Sequence, residues 1–208
     1  MESASIAHPG LAHDEHHHGP PIANRSSRVH PQVLGVLLFI VSEAMLFGSF
    51  FTAMFFIRVV ANTPFPPEPF EFPVPVASMN TAVLVSSSFT MHYALHSIRQ
   101  NNRFGMQLGL VSTFFLGLTF LCTQINEYFK AGFSIHDGAW ASCFYGLTGL
   151  HGLHVFVGLT LLAIMSIRAF RGHFGPKTED HMGVEMAGIY WHFVDVMWII
   201  VFLTVYIL

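Results

Sequence analysis

The chain has 208 residues, a formal net charge of −3, 52% hydrophobic side chains and only 10% charged ones, far below the roughly 25% charged residues of soluble domains. Twelve acids against nine bases leave no basic excess for binding nucleic acid. The two cysteines, Cys122 and Cys143, lie in apolar stretches, where cysteine is a small packing residue, and two do not make a disulfide framework.

Residues 1–31 read as a polar, histidine-rich tail without the apolar run of a secretory signal, so the first spanning helix is expected to be its own uncleaved insertion signal. His8, His13, His16, His17 and His18 could bind a metal ion loosely. Pro9 and the Gly19-Pro20-Pro21 breaker favour a disordered tail instead. Five stretches follow in which charge is nearly absent. Residues 29–57 carry only Glu43, residues 72–98, 104–126 and 138–167 carry none, and residues 183–208 carry Glu185 and Asp195. A spanning helix needs about 20 predominantly apolar residues. The expected fold is therefore an all-α integral membrane domain, 32–208, of five transmembrane helices at about 32–60, 76–98, 104–129, 139–168 and 183–208.

The connections and the basic residues orient it. The proline-rich run 63–69 cannot be helical, Ala131-Gly132 closes the third helix, and Gly172, Gly175 and Pro176 interrupt the last connection. Arg25, Arg28, Arg99, Arg103, Arg168, Arg171 and Lys177 fall on one side, and Arg58 and Lys130 on the other. By the positive-inside rule the N-terminus is cytoplasmic and the C-terminus lies across the membrane. No repeat at a fixed period supports an inverted-repeat transporter.

Ionisable groups inside a bilayer cost about 2.5–3.5 kcal/mol each at mid-helix and are functional candidates by default. At a rise of about 1.5 Å per residue, Glu43, His154 and Asp195 lie roughly 16, 21 and 18 Å from the cytoplasmic edge, close to one level. His151 and His154 are three residues apart, as are His192 and Asp195, so each pair shares a helix face and His192 can hydrogen-bond Asp195. For these four the preferred reading is a structural polar cluster that fixes the packing of helices four and five. Glu43 has no ionisable neighbour at helical spacing, and apolar surroundings then favour its neutral acid form. Such a group can relay protons or simply hydrogen-bond a neighbouring helix, and both readings stand. Glu127 and Tyr128 are placed at the outer interface. Arg58 and Lys130 are candidates for lipid phosphate contacts, with snorkelling as the default account.

A bis-histidine haem needs two imidazoles at matching depth on facing helices. His151 or His154 opposite His192 meets that condition alone. A Cys-x-x-Cys-His attachment pattern is absent, as is any close cysteine pair, and the expectation is that this chain binds no redox metal.

Several local strings, taken together, carry a resemblance. Ser42-Glu43-Ala44-Met45-Leu46-Phe47, Asn80-Thr81 with Ser86-Ser87-Ser88, and Glu127-Tyr128 are similar to cytochrome c oxidase subunit III. So are Ser134-Ile135-His136-Asp137-Gly138, Thr148-Gly149-Leu150-His151-Gly152-Leu153-His154-Val155, and Tyr190-Trp191-His192-Phe193-Val194-Asp195 with Trp198. The strings run in register from about Gln32 to Leu208, essentially the whole membrane portion.

The resemblance implies a non-catalytic core subunit of a proton-translocating haem–copper terminal oxidase, the complex that reduces dioxygen to water in aerobic respiration. Haems and copper then belong to partner subunits I and II. Subunit I is the main contact, with subunit II and a small fourth subunit as further partners. This chain would support proton uptake and turnover stability and hold structural phospholipids. Glu43 matches the family's carbodiimide-reactive buried carboxylate. The membrane would be a bacterial cytoplasmic membrane, or a thylakoid membrane in a photosynthetic source. Longer members of the family have two further N-terminal helices, which leaves open whether their lipid cleft exists here. The alternatives are the equivalent quinol oxidase subunit, a relative found beside nitric oxide reductases, and a membrane cytochrome b binding haem through His154 and His192.

Overall fold

A computed structural model describes residues 31–61, 73–172, 174 and 181–208. The histidine-rich tail, the proline-rich run 63–69 and the basic residues Arg25, Arg28 and Lys177 lie outside the described residues. Among the described residues all regular structure is helical: α1 Pro31–Ala61, α2 Val74–Arg99, α3 Arg103–Lys130, α4 Ala139–Phe170 and α5 Met182–Phe202. The final helix continues as a wider π turn over Leu203–Ile207, where the Leu208 amide donates to the Leu203 carbonyl at 2.9 Å.

The helices α2, α3, α4 and α5 close a ring, each packing against the next and α5 returning to α2. Helix α1 lies outside that ring against α4 and α5. It buries one stripe, including Phe47 and Met54, and exposes Leu38, Met45, Phe56 and Val59. Among the described residues four helices are long and apolar enough to cross a membrane: α1, α3, α4 and α5 with its π turn.

Helix α2 falls short by composition though not by length. Its 26 residues rise about 39 Å, more than the roughly 30 Å of a bilayer core. Asn80, Thr81, Ser87 and Thr90 are turned into the ring, where partners on other helices satisfy them. The Trp191 indole N–H donates to Ser87 Oγ at 2.9 Å, Trp198 to Thr81 Oγ1 at 2.9 Å, and Thr90 meets Thr113 at 2.8 Å. The Asn80 amide donates to the Phe120 carbonyl at 3.3 Å. Helix α2 is thus the polar-lined member of an apolar bundle.

Small residues set the close approaches. A Cβ added to Gly109 on α3 would meet the Ala94 Cβ of α2 at 2.7 Å, the small-on-small contact that membrane helices use in place of a hydrophobic driving force. The Trp191 ring lies in a slot between Gly117 of α3 and Gly158 of α4, where a Cβ would meet it at 2.5 and 2.9 Å. The turn between α2 and α3 is held by Asn101 in the left-handed region (φ 57°), which asparagine tolerates. The Asn102 side chain then caps α3 by accepting from the Gly105 amide at 3.0 Å. Residues 134–138 form a self-bonded turn, with Asp137 Oδ2 accepting from the Ser134 amide at 2.5 Å and the His136 amide donating to Ser134 Oγ at 3.1 Å.

Candidate functional site

Glu43 has an ionisable partner after all, and it comes from another helix. Its Oε2 is 2.9 Å from Nε2 of His154 on α4. The expectation of an unpaired carboxyl rested on spacing along α1 alone, which cannot show a group brought in by α4. The His154 side chain is 8% exposed and that of Glu43 19%.

The other ring nitrogen fixes the chemistry of the pair. Nδ1 of His154 lies 2.8 Å from the Leu150 carbonyl oxygen. A carbonyl only accepts, so Nδ1 carries a hydrogen. Nε2 then either accepts from a protonated Glu43 or donates to its carboxylate. In both forms the pair is neutral overall and shares a single proton. Such a unit can pass that proton between two atoms without placing net charge in the bilayer, which keeps the burial cost low. Phe47 packs on the imidazole at 5.1 Å between centroids, and the Tyr190 hydroxyl reaches the His154 carbonyl at 3.3 Å.

The other histidines separate from this pair. His192 and Asp195, whose spacing allows a hydrogen bond between them, both engage Ser88 of α2. The Ser88 hydroxyl donates to Asp195 Oδ2, and its oxygen lies 3.3 Å from His192 Nδ1. Polar packing here joins α5 to α2, while His154 joins α4 to α1. His151 sits apart from both, fully buried, tilted on Trp198 at 4.8 Å and edge-on to Phe120 at 5.7 Å. Neither of its ring nitrogens has a hydrogen-bond partner, so it packs as an aromatic ring.

The basic candidates also divide. The Arg58 guanidinium reaches the Thr204 carbonyl at 3.1 Å and also the Leu208 carbonyl, a cation placed where the last carbonyls of a helix concentrate negative potential. Lys130 is exposed at the end of α3. At the opposite end of the bundle, Arg99 pairs with Glu185 at 3.1 Å.

Two groups escaped attention as buried polar residues. Glu127, expected at an interface, is 9% exposed, and Gln124 one turn away is 2% exposed. They extend the buried stripe Gly105, Gly109, Thr113, Gly117, Phe120 of α3. That stripe of small residues at three- and four-residue spacing was the legible signal. Among the described residues no three His, Cys, Asp or Glu side chains converge as a set of metal ligands.

Residues 25–208 match the protein family described as cytochrome c oxidase subunit III. The chain is 42% identical to cytochrome c oxidase subunit 3 of Thermostichus vulcanus over 193 residues, 91% of this chain and 94% of that protein. It is 41% identical to the Synechocystis protein of the same name over 96% of this chain and 81% of that one. The human protein of that name is 41% identical over 91% of this chain and 72% of its own length.

Proposed function

The chain belongs to the cytochrome c oxidase subunit III family, and from that premise we propose that it is an accessory, non-catalytic subunit of a haem–copper terminal oxidase that reduces dioxygen to water. It carries no redox centre of its own, the haems and copper belonging to partner chains. One observation carries this reading: both ring nitrogens of His154, the imidazole best placed to ligate a mid-membrane haem, are engaged by the Leu150 carbonyl and Glu43. A ligand role would break a bond that keeps a carboxyl compatible with the bilayer.

The role of Glu43 and His154 in this reading is a neutral proton-sharing pair that supports proton uptake by the catalytic subunit, subunit I, and braces α1 against α4. Subunit II and a small fourth subunit complete the partners. Phospholipids cover the exposed apolar face of α1, and Lys130 sits at headgroup level. The basic residues orient the chain with its N-terminus in the cytoplasm, in a bacterial cytoplasmic or thylakoid membrane.

Deleting the chain tests the accessory role. The remaining oxidase is expected to reduce oxygen at first and to lose activity over successive turnovers. Immediate and complete loss of haem-based oxygen chemistry in an otherwise assembled complex would show a catalytic role instead.

A further inference from the structure

Helix α2 differs from its neighbours in what it turns outward. Between their end turns, α1, α3 and α4 expose no histidine or basic side chain among the described residues. Their outward faces are formed by residues such as Phe56, Phe115 and Phe156. Helix α2 exposes His92 and His96. These two continue from Ser88 at four-residue spacing, one above another on the helix. Gln100 extends the line, its amide nitrogen 2.9 Å from His96 Nε2. Ser88 is tied to Asp195 and Arg99 to Glu185, so the line borders α5, which adds the partly buried ring of His192. Alongside it the outward face of α2 carries Ser78, Ala82 and Ser86, again exposed at four-residue spacing, and then Phe89, 73% exposed.

His92 is seven residues from Arg99, roughly 10 Å along the helix toward its middle. With about 39 Å of helix in a hydrocarbon core of roughly 30 Å, a ring at that depth is inside the core. Histidines within spanning segments almost always face protein or a water-filled cavity, so lipid is a poor neighbour for this line. Water is a poor neighbour for Phe89 and for Tyr93, 47% exposed, on the same face. A second copy of the chain in the same membrane orientation would bring His92 toward His92 and Arg99 toward Arg99, without charge complementarity. A helix of different sequence meets each requirement. Ser78, Ala82 and Ser86 let its backbone come close, and an acceptor on it would take an imidazole N–H from His92.

We propose that the outward face of α2, from Ser78 to His96, is the surface by which this chain docks on a membrane-spanning helix of another polypeptide in the oxidase. That helix presents hydrogen-bond acceptors at the depth of His92 and His96 and apolar surface opposite Phe89. The inference rests on the reading of the chain as one subunit of a larger membrane complex, and it adds which face meets the partner. Helix α1, on the far side of α5, is left to lipid.

The test uses the complete oxidase, purified and returned to lipid nanodiscs, with a photoreactive benzophenone amino acid incorporated in place of Phe89 and, as control, in place of Phe115 on α3. After illumination the adducts are identified by mass spectrometry. Phe89 is expected to yield a cross-link to a different polypeptide of the purified complex, and Phe115 adducts with lipid. Lipid adducts alone at Phe89 would overturn the docking face while leaving the subunit reading intact. So would a cross-link to a second copy of this chain, or no adduct at Phe89 where Phe115 reacts, the result expected of a wet cleft. A chain that purifies with no other polypeptide would overturn both readings. Should the altered Phe89 prevent assembly, a lipid-soluble diazirine applied to the wild-type oxidase decides. Interface cores pack as densely as protein interiors, so Phe89 and Tyr93 should be labelled about tenfold less than Phe56 and Phe115. Equal labelling of all four would overturn the proposal.

Discussion

Replacing Glu43 separates two descriptions of the proton it shares with His154. In the neutral description His154 Nε2 is an acceptor, because Nδ1–H is committed to Leu150 at 2.8 Å. A glutamine at position 43 then supplies an amide N–H in place of the carboxyl O–H, and the 2.9 Å contact survives. Leucine at position 43 keeps most of the volume and removes the donor. Interhelical hydrogen bonds in membranes contribute about 0.6 kcal/mol on average and up to about 1.7. Leaving a buried nitrogen unpartnered costs about 1–3 kcal/mol, and the second effect governs, since the His154 side chain is only 8% exposed. At about 1.4 kcal/mol per tenfold, Glu43→Leu should loosen retention of the chain in the oxidase by about 5- to 150-fold, whereas Glu43→Gln should change it by less than about threefold. Stepwise detergent titration of the purified complex, followed by immunoblotting for the chain, measures this. Equal losses for Gln and Leu would show that the pair requires a full carboxylate–imidazolium charge.

The remaining expectations concern the ring of four helices. Gly158→Ala and Gly117→Ala each drive a Cβ into the Trp191 ring, and either should destabilise the complex by about 1–3 kcal/mol, read as a lower midpoint in thermal unfolding. Ser88→Ala removes the donor to Asp195 and the neighbour of His192 at a cost of about 1–3 kcal/mol. Adding Asp195→Val should recover part of that loss, because removing both partners is nearly neutral; a double variant no more stable than the single would contradict the bridge. Arg99→Ala breaks a pair whose arginine is 67% exposed, and exposed pairs contribute only about 0–1 kcal/mol, so thermal midpoints in low and high salt should both stay near wild type.

Charge spacing alone made five helices legible, because nothing else explains apolar runs of this length interrupted by short basic turns. The same spacing misses how α2 differs from the rest. Asn80, Thr81, Ser87 and Thr90 read as local polarity, yet each is matched to a tryptophan, threonine or backbone partner on α3 or α5. Pairings across helices are invisible to a periodicity that runs along one helix. For this reason Glu43 looked solitary, His154 looked grouped with His151, and His192 looked committed to Asp195. The Ser88 bridge needed the third helix. Glu127 was the reverse case: the stripe of glycine and threonine on α3 points to it, but proximity to a helix end suggested an interface. The π turn at Leu203–Ile207 carries no proline or glycine signal; Arg58 from α1, bound to the Thr204 carbonyl within it and to Leu208 just after it, accompanies it.

The most direct measurement purifies the chain through an affinity tag in mild detergent and records a visible spectrum before and after it is stripped from whatever accompanies it. The expected result is a complex whose haem absorbance stays entirely with the partner subunits, leaving this chain colourless. A chain that purifies alone and keeps a stoichiometric haem Soret band would contradict it.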